Sequence, residues 1–397
     1  MAVRLTHLSL SHFRNFNRLE TDMPAGLTLV TGANAQGKSS LLEAIYYLSA
    51  GRSSQADSDR QLIHFDAPDR VARLIGRVER AADSLQLEIR LALEDNAGGE
   101  PRLRRQVLIN GVRSRLPALY GQFQAVLFLP QDLRVVEGPP GERRRLLDEA
   151  LSQAVSRYAH DLSEYGRVLT RRNALLRSLQ EHRGDERQLE FWDEQLSRLG
   201  AGLMRARAVA LLELQELAAP IHLELSRGRE ALLLEYLPAY DPFAGEQRLG
   251  AGTAQAWREL NAEAIRAGLA EALQRGRAEE LGRGMTLLGP HRDELSFRAN
   301  RIDLRTFGSR GQSRTAVLAL KLAEAEWLRR RSGEHPVLLL DEVLAELDPQ
   351  RRQDLLARVL SAEQVVLTAA DLSLFDREFL ERVTLWRIQD GQLAHGR

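Results

Sequence analysis

The stretch TGANAQGKSS, residues 31–40, decides how the rest of the chain reads. It follows the apolar run LTLV, and with Gly32, Gly37, Lys38 and Ser39 it fits G-x-x-x-x-G-K-[ST], the phosphate-cradling loop between a strand and a helix. Glycines let successive backbone N–H groups turn toward phosphate oxygens, and a helix starting near Lys38 adds the positive end of its dipole. Gly32, Ala33, Asn34, Ala35, Gln36, Gly37, Lys38, Ser39 and Ser40 are therefore the expected phosphate contacts. Lys38 would reach the β and γ phosphates, and the Ser39 hydroxyl would bind magnesium. The following SLLEAIYYLSA reads as an amphipathic helix. Lys38 and Lys321 are the only lysines among 55 basic residues, and a planar guanidinium cannot replace a compact ammonium inside this loop.

A second motif is VLLLDEVLAELDPQRR, residues 337–352. Its apolar start suits a central parallel strand covered on both faces. That strand ends in Asp341 and Glu342, where open α/β sheets place ligands. Asp341 would hold magnesium directly or through water, and Glu342 would polarise the water that attacks a γ-phosphate. Asp348 stands before Pro349 as an N-cap. A third element, FGSRGQSRTAVLALKLAEAEWL at 307–328, sets Ser309, Arg310, Gly311 and Gln312 ahead of a long helix, another place for an anion. One phosphate loop needs no second phosphate site in the same chain. The economical reading is that these residues complete the pocket of a second copy, with two subunits sandwiching two nucleotides.

The chain has 397 residues, enough for two or three domains, and no cysteine, which excludes a disulfide framework, a thiolate zinc site and a cysteine nucleophile. The start MAVRLTHLSLSHF has no signal-peptide core, and no apolar run approaches the roughly 18 to 20 residues that span a bilayer, so a cytosolic protein is expected. The formal net charge is zero, so contact with nucleic acid must come from a local patch. The clusters Arg102, Arg104, Arg105 and Arg143, Arg144, Arg145 are candidates, although in so arginine-rich a chain the ordinary reading is a solvated face.

The fold class expected is α/β, with residues 1–140 and 286–397 forming a discontinuous ATPase domain and 141–285 a helical insertion, the segment 307–328 lying near the boundary. Strand-like runs cover RVARLIGRVER, LQLEIRLAL, RQVLING and AVLFLP, with a hairpin loop at EDNAGGEPR. Helical spacing then links Leu147, Leu151, Ala154, Tyr158, Leu162, Tyr165 and Leu169, and later Leu189, Trp192, Leu196, Leu199, Leu203 and Ala206. Two antiparallel helices turning near Gly184 follow, either as a protruding arm of roughly 50 Å or as a compact subdomain. Residues 228–285 mix the strand-like ALLLEY, the loop LPAYDPFAGEQRLGAG and a further helix.

Together the phosphate loop, S-R-G-Q before a helix and the strand ending in Asp341 and Glu342 resemble ATPase heads of the ABC and SMC class. LSLSHFRNF at 8–16, LPQDLRVVEGPPGERRRLLDEAL at 129–151 and GPHRDELSF at 289–297 narrow the resemblance to the RecF family of bacterial recombination and gap repair. The resemblance implies a two-lobed head with mixed sheets and an inserted helix pair. It implies a chain that dimerises on ATP and magnesium, binds double-stranded DNA and single-strand/double-strand junctions, hydrolyses ATP slowly, and works with RecO and RecR to place RecA on gapped DNA. Carried over by motif, Lys38, Glu342 and Gln131 are catalytic, with Gln131 the lobe-linking glutamine at the metal beside Ser39 and Asp341. Ser309 to residue 312 form the signature, Asp348 belongs to a dimer-contacting loop, and Arg14 touches the nucleotide. One departure stands out: transporters place a histidine after the strand following the acid, whereas VVLTA leads into Ala370 and Asp371. Thr368 would then hold water or the γ-phosphate less firmly, and slow turnover would follow. The signature also carries Arg310 where transporters have glycine.

Two rival readings are a transporter's energising ATPase and an SMC-type DNA-bridging scaffold. A transporter subunit needs a groove for a membrane partner's coupling helix, whereas this chain has arginine-studded helices and no membrane-facing apolar surface evident in its sequence. A scaffold needs coiled coils far longer than this insertion.

Overall fold

RLTHLSLSHF forms β1 (Arg4–Phe13), which turns into β2 (Phe16–Asp22); β3 (Gly26–Thr31) then feeds the phosphate loop and α1 (Lys38–Ala50). A meander follows: β4 (Val71–Glu79), β5 (Ser84–Asn96), β6 (Gly99–Ile109) and β7 (Val112–Ser114), then β8 (Ala125–Phe128). A computed structural model describes residues 3–81, 83–96, 99–243 and 251–395. The tip of the expected hairpin loop, residues 97 and 98, and residues 244–250 of the Pro/Gly-rich loop lie outside the described residues.

The chain continues through α2 (Arg134–Glu137), α3 (Pro140–Ala154), α4 (Ser156–Gln180), α5 (Gln188–Leu225), β9 (Leu232–Leu237), α6 (Ala251–Glu259), α7 (Ala262–Arg283), β10 (Glu294–Ala299), β11 (Ile302–Asp303) and α8 (Leu304–Phe307). After α9 (Arg310–Ser332) come β12 (Val337–Asp341), α10 (Pro349–Val359), β13 (Gln364–Ala369), α11 (Arg377–Glu381), β14 (Thr384–Gln389) and β15 (Gln392–His395). The chain divides into two units, Met1–Asp132 with Lys321–Arg397, and Leu133–Leu320. The expected cuts stood at 140 and 285. Residues 286–320 instead fall in the second unit, because β10 pairs with β9 and β11, all of that unit.

The first unit holds two sheets. One, in the order β2-β1-β4-β5-β6-β7, is an antiparallel meander; the other, β15-β14-β3-β13-β12-β8, is parallel except for β15. A register shift between Leu5 and His7 reverses the alternation of β1, so Leu5, Leu8 and Leu10 are all buried. Helix α1 buries eleven of its thirteen residues. It is apolar around most of its circumference rather than amphipathic, as a helix enclosed on all sides must be. Its side chains join those of β1, β4, β5, β8 and β12 in one core.

In the second unit α4 and α5 run antiparallel. Arg172 meets Asp193 near one end, while Tyr158 meets Arg207 near the other. Glu280 of α7 also holds Arg172, and Arg277 of α7 holds Asp193, so a third helix packs along the pair. The pair is a packed part of its unit and not a bare arm. The long run predicted from Leu147 to Leu169 is two helices, broken at Val155, whose backbone is extended. The break brings Asp148 of α3 and Tyr158 of α4 onto the same guanidinium, that of Arg207.

Among the described residues of this unit three arginines are buried: Arg143, Arg172 and Arg207. Arg143 grips Glu294 through two bonds of 2.6 and 2.8 Å, and Arg144 donates to the Asp293 carbonyl at 2.6 Å. The 143–145 cluster is thus neither a solvated face nor a ready DNA patch. Each buried guanidinium needs carboxylates and carbonyls around it, because an unpaired charge there would cost several kcal/mol. In the other cluster Arg105 is tied to Asp59 and to the Gly51 carbonyl, and Arg104 to Glu94.

Candidate active site

Strand β13 lies between β3 and β12, all parallel, with Ala369 opposite Thr31 and Thr368 opposite Asp341. The end of β12, the loop that follows β3 and the N-terminus of α1 open on one cleft of about 1130 Å³, where ligands of open α/β sheets bind. Gly32 and Gly37 are required by the close approach of other chain segments. A Cβ on Gly32 (φ 153°) would lie 2.3 Å from the Ile388 carbonyl oxygen, and one on Gly37 (φ 116°) 2.5 Å from the Asn15 amide. Asn15 donates to the Gln36 carbonyl at 2.9 Å, which fastens the β1–β2 turn to the loop.

Lys38 is 3% exposed. Its ammonium donates to the carbonyls of Gly32 (2.8 Å) and Ala33 (3.0 Å) and pairs with Glu342 at 3.0 Å. Ser39 donates its hydroxyl to Asp341 at 3.0 Å, a contact across 302 positions of sequence. Thr368 joins both acids: its hydroxyl donates to Asp341 at 2.8 Å and accepts from the Glu342 backbone N–H at 2.9 Å. Glu342 itself has left-handed backbone (φ 50°), unusual for a residue with a long side chain. Burial pushes the Asp341 carboxyl above its ordinary range, opposed by the bonds from Ser39 and Thr368 and by the Lys38 charge.

Gln131 lines the same cleft, as do Asn34, Ala35 and Ser40. Arg14 lines it too, but its guanidinium is gripped by Glu43 of α1 at 2.7 and 2.9 Å. The Thr368 hydroxyl, expected to hold water or the γ-phosphate only loosely, is committed to the acid pair. Asp348 is absent from the lining. It caps α10, accepting from the Arg351 N–H at 3.0 Å and pairing with the Arg351 guanidinium at 2.9 Å. The signature residues belong to the second unit and are also absent from the lining. Ser309 accepts from the Gln312 N–H at 3.2 Å while the Gln312 side chain accepts from the Ser309 N–H at 2.9 Å, a capping box opening α9. Gln312 also donates to Glu230 at 2.9 Å, and Arg310 is exposed.

Sequence reasoning passed over Glu43, Asn15 and Gln55, whose amide lies 3.4 Å from Asp341. Glu43 had a readable signal: a lone acid within the apolar helix SLLEAIYYLSA calls for a buried cation. Among the described residues no group of three or more His, Cys, Asp or Glu could hold a metal alone. Ser39, Asp341 and Gln131 supply oxygens that suit magnesium, which is held by one or two carboxylates together with substrate phosphates. Among the described residues no helix is long and apolar enough to cross a membrane.

The RecF/RecN/SMC N terminal domain family matches residues 4–384. The DNA replication and repair protein RecF of Chloroflexus aurantiacus is 43% identical over 402 residues, covering 98% of this chain and 99% of the relative. Its counterpart in Roseiflexus castenholzii is 41% identical over 404 residues, with the same coverage. Among solved structures, the recombination mediator protein RecF-ATPrS in the RecFOR pathway matches with a TM-score of 0.85 and 30% identity over 100% of this chain and 99% of that one. A RecF-ATP structure matches with the same TM-score and identity. This agreement over the whole length sets aside the transporter subunit and the long-armed scaffold, and the mixed sheets with their helical insertion are those of the ABC/SMC-type head. The chain belongs to the RecF family of DNA replication and repair proteins, ATPases built on the RecF/RecN/SMC N terminal domain.

Proposed function

We propose that this chain is an ATP-gated DNA clamp: two copies close on double-stranded DNA or a single-strand/double-strand junction with ATP between them, and slow, DNA-stimulated hydrolysis reopens them. The observation that carries this reading is the meeting of two remote motifs, Ser39 with Asp341 and Lys38 with Glu342, each at 3.0 Å in one cleft. Lys38 holds the β and γ phosphates, and Ser39, Asp341 and Gln131 hold magnesium, which when bound neutralises phosphate charge. Glu342 orients water and accepts its proton. Ser309, Arg310, Gly311 and Gln312 meet the γ-phosphate in the other copy, and Asp348 lies in the loop that contacts it. Arg14, pinned by Glu43, supports the nucleotide side of the β1–β2 turn. In this role the dimer works with RecO and RecR to place RecA on gapped DNA, as a cytoplasmic, nucleoid-associated protein.

The test is anisotropy of a labelled duplex and a labelled gapped duplex, titrated with protein at several salt concentrations. ATP should tighten both complexes, the parent's affinity should fall steeply with salt, and Lys38→Ala should show no ATP effect. A flat salt response, or equal binding with and without ATP, would refute the clamp.

A further inference from the structure

The cleft that holds Lys38 and Ser39 extends to Ile63, His64 and Phe65, and phosphate chemistry does not account for that end. Phe65 is 90% exposed, the most exposed large apolar side chain among the described residues. Its ring stacks on the His64 imidazole, centroids 4.8 Å apart and planes 14° from parallel. His64 is anchored. The His64 N–H donates to the His12 carbonyl and the Arg14 N–H to the Leu62 carbonyl, both at 2.8 Å. The Asp66 N–H donates to His64 Nδ1 at 3.1 Å, which sets the ring's orientation. Asn15, next to Arg14, is bonded to the Gln36 carbonyl of the phosphate loop. A short run of hydrogen bonds thus ties the aromatic pair to the phosphate loop through a single β-turn.

A nucleotide has one charged end and one flat, aromatic end. An exposed phenyl face backed by a second ring offers a flat apolar surface to the latter, and such a face gains by stacking on a base. We infer that Phe65, backed by His64, is the stacking platform for the purine base of the nucleotide whose phosphates Lys38 and Ser39 bind. This rests on the ATP-binding reading above and adds to it the residues that meet the base.

The experiment measures equilibrium binding of ATP and of inorganic tripolyphosphate, which has the charge without the base, to the full-length parent, Phe65→Ala, Phe65→Trp and Lys38→Ala. Phe65 is so exposed that its removal leaves the core intact. Phe65→Ala should weaken ATP about tenfold, within the range that base–aromatic stacking supplies, and change tripolyphosphate by less than about twofold. Phe65→Trp should keep ATP affinity, with tryptophan emission quenched by ATP and not by tripolyphosphate. Unchanged ATP affinity in Phe65→Ala, equal losses for both ligands, or no selective quenching in Phe65→Trp would each overturn the platform. Lys38→Ala separates the two claims: if it loses both ligands while Phe65→Ala loses neither, the phosphate site stands and the platform falls. If the parent binds neither ligand, both fall.

Discussion

The Lys38 ammonium and the Glu342 carboxylate face each other at 3.0 Å, the proposed phosphate-binding cation closed on the proposed catalytic carboxylate. In the proposed mechanism a triphosphate takes Lys38 from Glu342, and in doing so frees the carboxylate for water. Glu342→Gln should therefore bind ATP at least as tightly as the parent while turnover falls about 10²-fold or more, the scale of a lost general base. Unchanged turnover in a phosphate-release assay would assign the base elsewhere. Lys38→Ala should lose measurable ATP binding.

Thr368 places one hydroxyl on both acids, at 2.8 Å from Asp341 and 2.9 Å from the Glu342 N–H. Thr368→Val keeps the shape and removes both bonds, each worth about 1 kcal/mol or somewhat more beside a charge. Turnover should fall roughly tenfold with KM for ATP nearly unchanged, and Thr368→Ser should restore it. A loss confined to KM, or no rescue by serine, would show that the hydroxyl does not position the acid pair.

Ser309 and Gln312 cap α9 within their own unit. Ser309→Arg loses the cap, at a cost of about 1 kcal/mol, and puts a bulky cation where the second copy's phosphate would sit. Monomer ATP binding should persist while ATP-induced dimerisation disappears. A variant that still dimerises with ATP would remove these residues from the shared site.

Burial pushes the His291 imidazole down to about 4 from 6.5. It is held neutral between the Tyr165 hydroxyl at 2.7 Å and the Thr286 carbonyl at 3.3 Å. The unfolded chain takes up this proton near pH 6.5 and the folded chain does not. The contribution is therefore complete above pH 6.5, on the order of 3 kcal/mol, and is lost as pH falls from 6.5 toward 4. The thermal midpoint of His291→Gln should fall less across that window than the parent's; parallel curves would contradict the assignment.

The phosphate loop and the strand ending in Asp341 were legible because their chemistry demands fixed residue types at fixed spacing. The meander was legible from alternation, and the helix pair from periodicity. Three things were not. Periodicity carries through Val155 without a signal for the break, because the break is made by two side chains converging on Arg207. The burial of Arg143, Arg172 and Arg207 has no local signal, since the carboxylates that neutralise them come from distant helices and strands. Thr368 could be seen at a strand end, but its bond to Asp341 depends on β13 lying beside β12. Each miss concerns a pairing set by tertiary structure, which no local pattern encodes.

The central claim is that one active site is assembled from two chains with ATP as the link. Sedimentation velocity of the parent at high concentration, with magnesium and a non-hydrolysable ATP analogue, with and without a short duplex, tests it most directly. The account predicts a shift from one chain to two on adding the analogue, strengthened by duplex and absent in Lys38→Ala. A species that remains a single chain under all these conditions would contradict it.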